Sequence, residues 1–198
     1  MRKINDYYAK KAKKDKYPAR SVYKLEEVQQ KYKFLGRGDS VLDLGCAPGS
    51  WSLYASEVVG PGGVVVGVDL QETDLSPRPD GAPIFWLQQD IMEPELIPLV
   101  RKFRPAFKAL ISDLAPKTTG NRWSDSQKSL RLVRHTLELA ETLLLPGGHY
   151  IVKVFQGEDF PEFVKEMKQR FAMVKVVKPH SSRVESREIF VLGMKYKK

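Results

Sequence analysis

What most restricts the fold of this chain is the way two hydrophobic periods take turns along it. Strand-length runs rich in branched residues, "SVLDLG" (40–45), "GVVVGVDL" (63–70), "PIFWLQQD" (83–90), "FKALISDL" (107–114) and "HYIVKVF" (149–155), alternate with segments spaced as helices at 49–59, near 93–103 and at 125–145, where "PGG" stops the last. Strands alternating with helices pair in parallel and bury both sheet faces. The final elements break the rhythm. An amphipathic "DFPEFVKEMKQRF" precedes two strands, "MVKVVKP" and "REIFVLGMKY", separated only by "HSSRVES". That link is too short for a helical crossover, so one of the two strands should run antiparallel. The expectation is an α/β fold: a doubly wound, mainly parallel sheet of about seven strands with helices on both faces and ligands beyond the strands' carboxyl ends. Ahead of it, "PARSVYKLEEVQQKYKF" places Val22, Leu25, Val28 and Tyr32 on one helical face, with Pro18 suited to the first turn and Gly36 and Gly38 ending the segment. The 198 residues suit a single domain, with a helical extension over 1–35 and a core over 36–198.

The net charge of +9 gathers at the ends: +7 over residues 1–24 and +5 over 175–198, which leaves −3 between them. A basic clamp of this kind fits a polyanion such as nucleic acid, provided the fold brings the ends together; either end alone reads as a solvated tail. Arg2, Lys3, Lys10, Lys11, Lys13, Lys14, Lys16 and Arg20 are candidates for phosphate contacts, with Tyr7 and Tyr8 as stacking surfaces and the segment 178–187 and the "KYKK" tail as extensions. A lone Cys46 and three scattered histidines offer neither a disulfide nor metal-ligand spacing. No run reaches membrane-spanning length, and the charged start lacks a secretory apolar stretch, so the chain is expected in the cytoplasm. No protein partner is implied.

In "DLGCAPGSW" the glycines stand at 45 and 49, which is not the G-x-G-x-x-G of a dinucleotide loop, and Pro48 removes an N–H that a phosphate would want. No triphosphate loop is present either. The turn suits a ligand that approaches the backbone without needing its phosphates held, and S-adenosylmethionine is one. Asp69, 24 residues after Gly45, ends a strand where a carboxylate accepts from ribose hydroxyls, and Asp90 ends the next, placed for the adenine. Each alone is equally a turn glycine or a helix cap.

If the donor is S-adenosylmethionine, the acceptor follows by elimination. "SDLAP" (112–116) is not the Asn/Asp-Pro-Pro-aromatic of amino methylases, and Cys46 lies in the cofactor loop rather than at a pyrimidine. Oxygen remains. A sugar hydroxyl is a weak acid, so cations beside the developing alkoxide, oriented by carboxylates, are expected. Lys153 sits inside an apolar strand, which is costly unless paired. Asp113 ends the strand before it, Glu188 opens the last strand, and Lys24 lies on the N-terminal helix. A solvated Lys24, and a Glu188 paired with Arg187 or Arg183, are the plainer readings of those two.

Here the residues resemble a known family. "PARSVYKLEEV", "DLGCAPGSW", "SDLAP", "PGGHYIVKVFQGE" and "KPHSSRVESREIFV" are similar, over nearly the whole chain, to the FtsJ/RrmJ ribosomal RNA 2′-O-methyltransferases. The resemblance implies a Rossmann-like class I methyltransferase fold and S-adenosyl-L-methionine as donor. It also implies a catalytic tetrad at Lys24, Asp113, Lys153 and Glu188, with Lys153 nearest the acceptor. By the same resemblance Gly45, Pro48, Gly49, Trp51, Asp69, Asp90 and Asp113 contact the cofactor, and the substrate is a uridine in the A-loop of large-subunit ribosomal RNA, free or in the subunit. Lys153 is either a base, its pKa lowered by Lys24 and raised by Asp113 and Glu188, or a cation that steers the hydroxyl and stabilises the alkoxide; the second is preferred. The loop "PKTTGNRW" lies where a splayed nucleotide would enter, with Arg122 and Trp123 to hold it. Methylation of a tRNA anticodon loop, and a non-catalytic RNA-binding assembly factor, are the alternatives. An oxidoreductase is disfavoured because its Y-x-x-x-K pair occurs only as Tyr7 and Lys11, ahead of the first strand.

Overall fold

The computed structural model describes residues 2–116, 119–183 and 186–198, and the side chains from residue 7 onward within these. Seven strands form one sheet: β1 (Ser40–Leu44), β2 (Val64–Asp69), β3 (Ile84–Gln88), β4 (Phe107–Ser112), β5 (Leu144–Phe155), β6 (Phe171–Val177) and β7 (Glu188–Tyr196), in the order β3-β2-β1-β4-β5-β7-β6. Every pairing among the first five strands is parallel. β7 runs antiparallel to both β5 and β6, as the short link between the last two strands requires. The order reverses between β1 and β4, so their carboxyl ends form the crevice of a doubly wound sheet.

Six helices surround the sheet: α1 (Arg2–Lys14), α2 (Val22–Tyr32), α3 (Ser50–Val59), α4 (Leu96–Arg101), α5 (Arg122–Leu143) and α6 (Phe160–Arg170). α4, α5 and α6 cover one face, where Leu96, Val100, Leu137, Phe163 and Met167 pack on Leu42, Leu110 and Val152. α2 and α3 cover the other, where Leu25, Val28, Trp51 and Val59 meet Val41, Ile111, Ile151 and Phe190. Burying each such side chain contributes about 1.5–3 kcal/mol, which sets strand register firmly. α1 rests on a smaller cluster in which Ala12 meets Val22 and Tyr23, with Tyr8 against it.

Four sequence expectations are corrected. Pro18 lies ahead of α2 rather than in its first turn, because Ala19 and Ser21 are tied to α3: the Ala19 N–H donates to Ser50 Oγ (2.8 Å) and Ser21 O accepts from Trp51 Nε1 (2.9 Å). Pro146, Gly147 and Gly148 do not follow a helix that ends on them; they lie inside β5, where the register with β4 shifts in a bulge that tolerates a missing N–H. β3 stops at Gln88, so Asp90 stands two residues beyond its strand. The "KYKK" tail leaves at the opposite end of the sheet from Glu188, because antiparallel β7 carries the chain from Phe155 of β5 to the start of β6.

Candidate active site

Strand parity assembles the site. In β4 the odd residues Ala109 and Ile111 face α2 and α3, in β5 Ile151 does, and in β7 the even residues Phe190 and Leu192 do. Continuing the period of two puts Asp113, Lys153 and Glu188 on that same face at the carboxyl ends of β4 and β5 and the start of β7. Lys24, on the first turn of α2, reaches them from above. Lys24 Nζ lies 3.1 Å from Glu188 Oε2 and 3.9 Å from Asp113 Oδ1, and Lys153 Nζ lies 2.9 Å from Asp113 Oδ1. Two ammonium and two carboxylate groups thus form one continuous chain. Lys153, only 5% exposed, also donates to the Asp113 carbonyl, and that direction leaves its 2.9 Å approach to Oδ1 an ion pair without hydrogen-bond alignment. Burial pushes the Glu188 carboxyl up, but Lys24 and Lys153 outweigh it with hydrogen bonds from Lys24 and Ser186, so Glu188 is held below its ordinary value. It pairs with Lys24, not with Arg183 or Arg187.

Several contacts hold Lys24 there. Trp51 is buried against Phe190, with ring centroids 5.7 Å apart, and anchors Ser21 three residues before Lys24. Glu27 on α2 accepts from the His180 and Ser181 N–H groups (2.6 and 2.8 Å), which docks the segment leading into β7 on the helix that carries Lys24.

Beside this chain lies the glycine turn. Gly45 (φ +79°) and Gly49 (φ +103°) adopt left-handed backbone, and a Cβ at Gly45 would strike Leu114, one at Gly49 Leu75 and Trp86. The turn glycines therefore answer to protein packing in the first place. Pro48 lies between them. Trp51 commits its side chain to Ser21 and Phe190, so only its backbone is left for a ligand. Asp69 accepts from the Ala47 N–H (3.0 Å) and the Gln71 N–H (2.9 Å), and Asp90 from the Met92 N–H (2.9 Å), which closes a local turn. Both carboxylates keep spare lone pairs. Asp43, on β1 and absent from the sequence reading, proves to be buried. Its Oδ2 accepts from Ser52 Oγ (2.6 Å), while Oδ1 is buried without a partner among the described residues. Burial, together with the charges of Asp113 and Asp69 and against the Ser52 hydrogen bond, pushes its carboxyl up to about 7. A mid-strand acid in an otherwise apolar "VLDL" was the available signal.

The basic residues divide. Lys10, Lys13 and Lys14 are exposed on α1; Lys11 lies over the Tyr23 ring (4.1 Å) and near Glu26 (3.8 Å). Tyr8 packs on Tyr23, whereas Tyr7 is exposed. Arg20 donates to Ser181 O (2.5 Å), which brings the N-terminal segment against residues 178–183. Lys16 is exposed, and the side chains of Arg2 and Lys3 lie outside the described residues. In the loop before α5, Lys117 and Thr118 also lie outside them; Asp125 accepts from Thr119 N, Thr119 Oγ1 and Gly120 N, and Arg122 and Trp123 stand on the first turn. Among the described residues no His/Cys/Asp/Glu group could hold a metal ion, and no helix is long and apolar enough to cross a membrane.

Residues 17–196 match the profile of the FtsJ-like methyltransferases. The chain belongs to that family. A family relative from Desulfotalea psychrophila, named ribosomal RNA large subunit methyltransferase E, is 65% identical over all of this chain and 98% of its own. A relative of the same name from Syntrophobacter fumaroxidans is 46% identical over 98% of each chain. In three dimensions the fold is similar to a crystal structure from Plasmodium falciparum described as a ribosomal RNA methyltransferase, with a TM-score of 0.79 and 27% identity over 91% of this chain and 98% of that one. A Rossmann-like sheet with methyl-transfer chemistry is thereby the common property of the family and of this chain.

Proposed function

We propose that this family member methylates a ribose 2′-hydroxyl of large-subunit ribosomal RNA, using S-adenosylmethionine, at a uridine of the A-loop. The observation that carries the reading is the ion-paired chain of Lys24, Asp113, Lys153 and Glu188 at the carboxyl ends of β4 and β5 and the start of β7. The relatives named for the large-subunit ribosomal RNA set the substrate class and disfavour the tRNA and non-catalytic readings.

The donor pocket is judged by its charge. Asp43, Asp69 and Asp113 stand on one sheet face, the last two close enough to act on Asp43, and Asp43 Oδ1 lacks a partner among the described residues. Such a pocket favours a cation and disfavours a pyrophosphate. S-adenosylmethionine carries an ammonium and a sulfonium, so the residues fit it. Gly45, Pro48, Gly49 and the Trp51 backbone would border its amino-acid end, Asp69 its ribose and Asp90 its adenine; when bound it supplies an electrophilic methyl group. The rest is done by the chain itself. An ammonium has three donors; Lys153 directs one to the Asp113 carbonyl and meets Oδ1 as an ion pair without hydrogen-bond alignment, which leaves a donor for the acceptor oxygen. That role is steering and alkoxide stabilisation while water takes the hydroxyl proton, with Asp113 fixing the Lys153 ammonium, Lys24 pairing with Asp113 and Glu188 fixing Lys24. Residues 36–198 carry the sheet, α2 is packed on it, and the basic segment ahead of α2 acts as an RNA-facing arm.

Mapping 2′-O-methylation by mass spectrometry on total RNA, after deletion of the gene and rescue with wild type or Lys153→Ala, tests this reading. One large-subunit methylation should vanish and return only with wild type. Loss of a tRNA mark instead would overturn the substrate, and rescue by Lys153→Ala the mechanism.

A further inference from the structure

Two hollows meet at the reacting corner. One, of about 400 Å³, is lined by Arg20, Lys24, Arg183, Ser186 and Glu188. The other, of about 270 Å³, is lined by Arg122, Asp125, Phe155, Ser186, Arg187 and Glu188, with the Asp125 carboxylate already accepting from Thr119 and Gly120. Ser186 and Glu188 border both, so the entry to β7 is a ridge with two arginines on either side. On the first side burial and the Arg183 guanidinium both push Arg20 below its ordinary value, against Glu188, so two like charges share one hollow. An anion seated between them relieves that repulsion. On the second side Arg187 donates to the carbonyls of Arg122 (3.2 Å) and Gln156, which fix the direction of the guanidinium and leave its charge in place. Among the described residues no carboxylate lies within ion-pair distance of Arg183 or Arg187.

We propose that RNA crosses the Glu188 ridge as a single strand, one phosphate held by Arg20 and Arg183 and the next by Arg122 and Arg187, so that the ribose between them presents its hydroxyl to Lys153. This rests on the reading of the acceptor as RNA and adds how it is positioned. Every internal ribose is flanked by two phosphates, and a ridge with a pair of arginines on each side grips both. A stacked duplex cannot arch over it. Trp123, 64% exposed and next in sequence to Arg122 on the first turn of α5, offers a base an aromatic surface outside the hollow. Arg183 and Arg187 are positioning residues in this scheme, since they touch flanking phosphates and not the reacting atoms.

Binding of the full chain to a twelve-nucleotide polyuridylate, followed by fluorescence anisotropy from low to high salt, is the test. Arg183→Ala and Arg187→Ala should each reduce the slope of log K against log salt by about 0.7 and weaken binding about tenfold, and the double variant should lose both increments. Arg183→Lys and Arg187→Lys should keep the wild-type slope, which separates lost charge from a disturbed ridge. Calorimetric affinity for S-adenosylhomocysteine should not change, and KM for a large-subunit RNA transcript should rise more than kcat falls. A wild-type slope in either alanine variant, an equal loss in the lysine variants, or the same arginine dependence for an rA·rU duplex overturns the clamp. The slope is read without turnover, so it decides the clamp even where the wild-type protein fails to methylate ribosomal RNA, a result that would overturn only the proposed function.

Discussion

At Lys153 an ammonium group occupies a position where the parity of β5 asks for a branched apolar side chain, and it is tolerated because Asp113 meets it with both a carbonyl and a carboxylate. Replacing Lys153 with Ala removes the donor for the alkoxide, so methyl transfer should fall by at least about a thousandfold while calorimetric donor affinity stays nearly the same; unchanged turnover would take Lys153 out of the mechanism. Asp43 gives a prediction on stability. Its folded pKa of about 7 lies above the 3.8 of an ordinary aspartate. Between these the folded state holds more protons than the unfolded one, so stability falls as pH rises through the window and the full penalty persists above it. Asp43→Asn should therefore be more stable than wild type at pH 8 in the absence of donor, by up to about 4 kcal/mol, with the difference vanishing toward pH 4. A constant difference across that range would show that repacking, not charge, is responsible. Lys153 was legible in the sequence because it interrupts "IVKVF". The burial of Asp43 was not, because an acid before a glycine turn reads equally as a strand-end ligand.

At the level of elements, the site depends on how α2 is hung. Its first turn has no side-chain cap of its own; the Ser50 hydroxyl and the Trp51 indole of α3 hold the residues that precede it, and Glu27 carries the approach to β7. Trp51→Phe keeps the ring against Phe190 and deletes the bond to Ser21, at a cost of about 1 kcal/mol. Because Lys24 then loses its fixed height over Asp113, kcat should drop at least about threefold with donor affinity preserved. A lower melting temperature with kcat intact would make Trp51 a purely structural residue. Helical spacing predicted α2, but its start was misplaced at Pro18, since a proline signals a first turn only where no tertiary bond holds the preceding residues extended. The Pro-Gly-Gly of β5 misled for the same kind of reason: its missing donor is harmless at a bulge, which a single strand does not reveal.

For the whole molecule, charge and topology combine. α1 presents Lys10, Lys13 and Lys14 to solvent, and Arg20 ties the N-terminal segment to residues 178–183, so two basic stretches distant in sequence share one side of the fold. Deleting residues 1–16 should weaken RNA binding and flatten its salt dependence, leaving donor affinity intact; an identical salt slope would return α1 to the role of a solvated arm. The C-terminal lysines leave at the other end of the sheet, where antiparallel β7 delivers them. The amino-acid sequence determined by itself the α/β class, that one of the last two strands runs antiparallel, and that Asp113 and Glu188 stand at strand ends with Lys153 inside a strand, since each follows from local periods and link lengths that hold for any packing. Only the tertiary structure decided that β7 lies beside β5, that α2 covers the face those residues share, and that Arg183 and Arg187 flank Glu188. These are contacts across long separations, fixed by which apolar surfaces bury one another, and no local pattern encodes them.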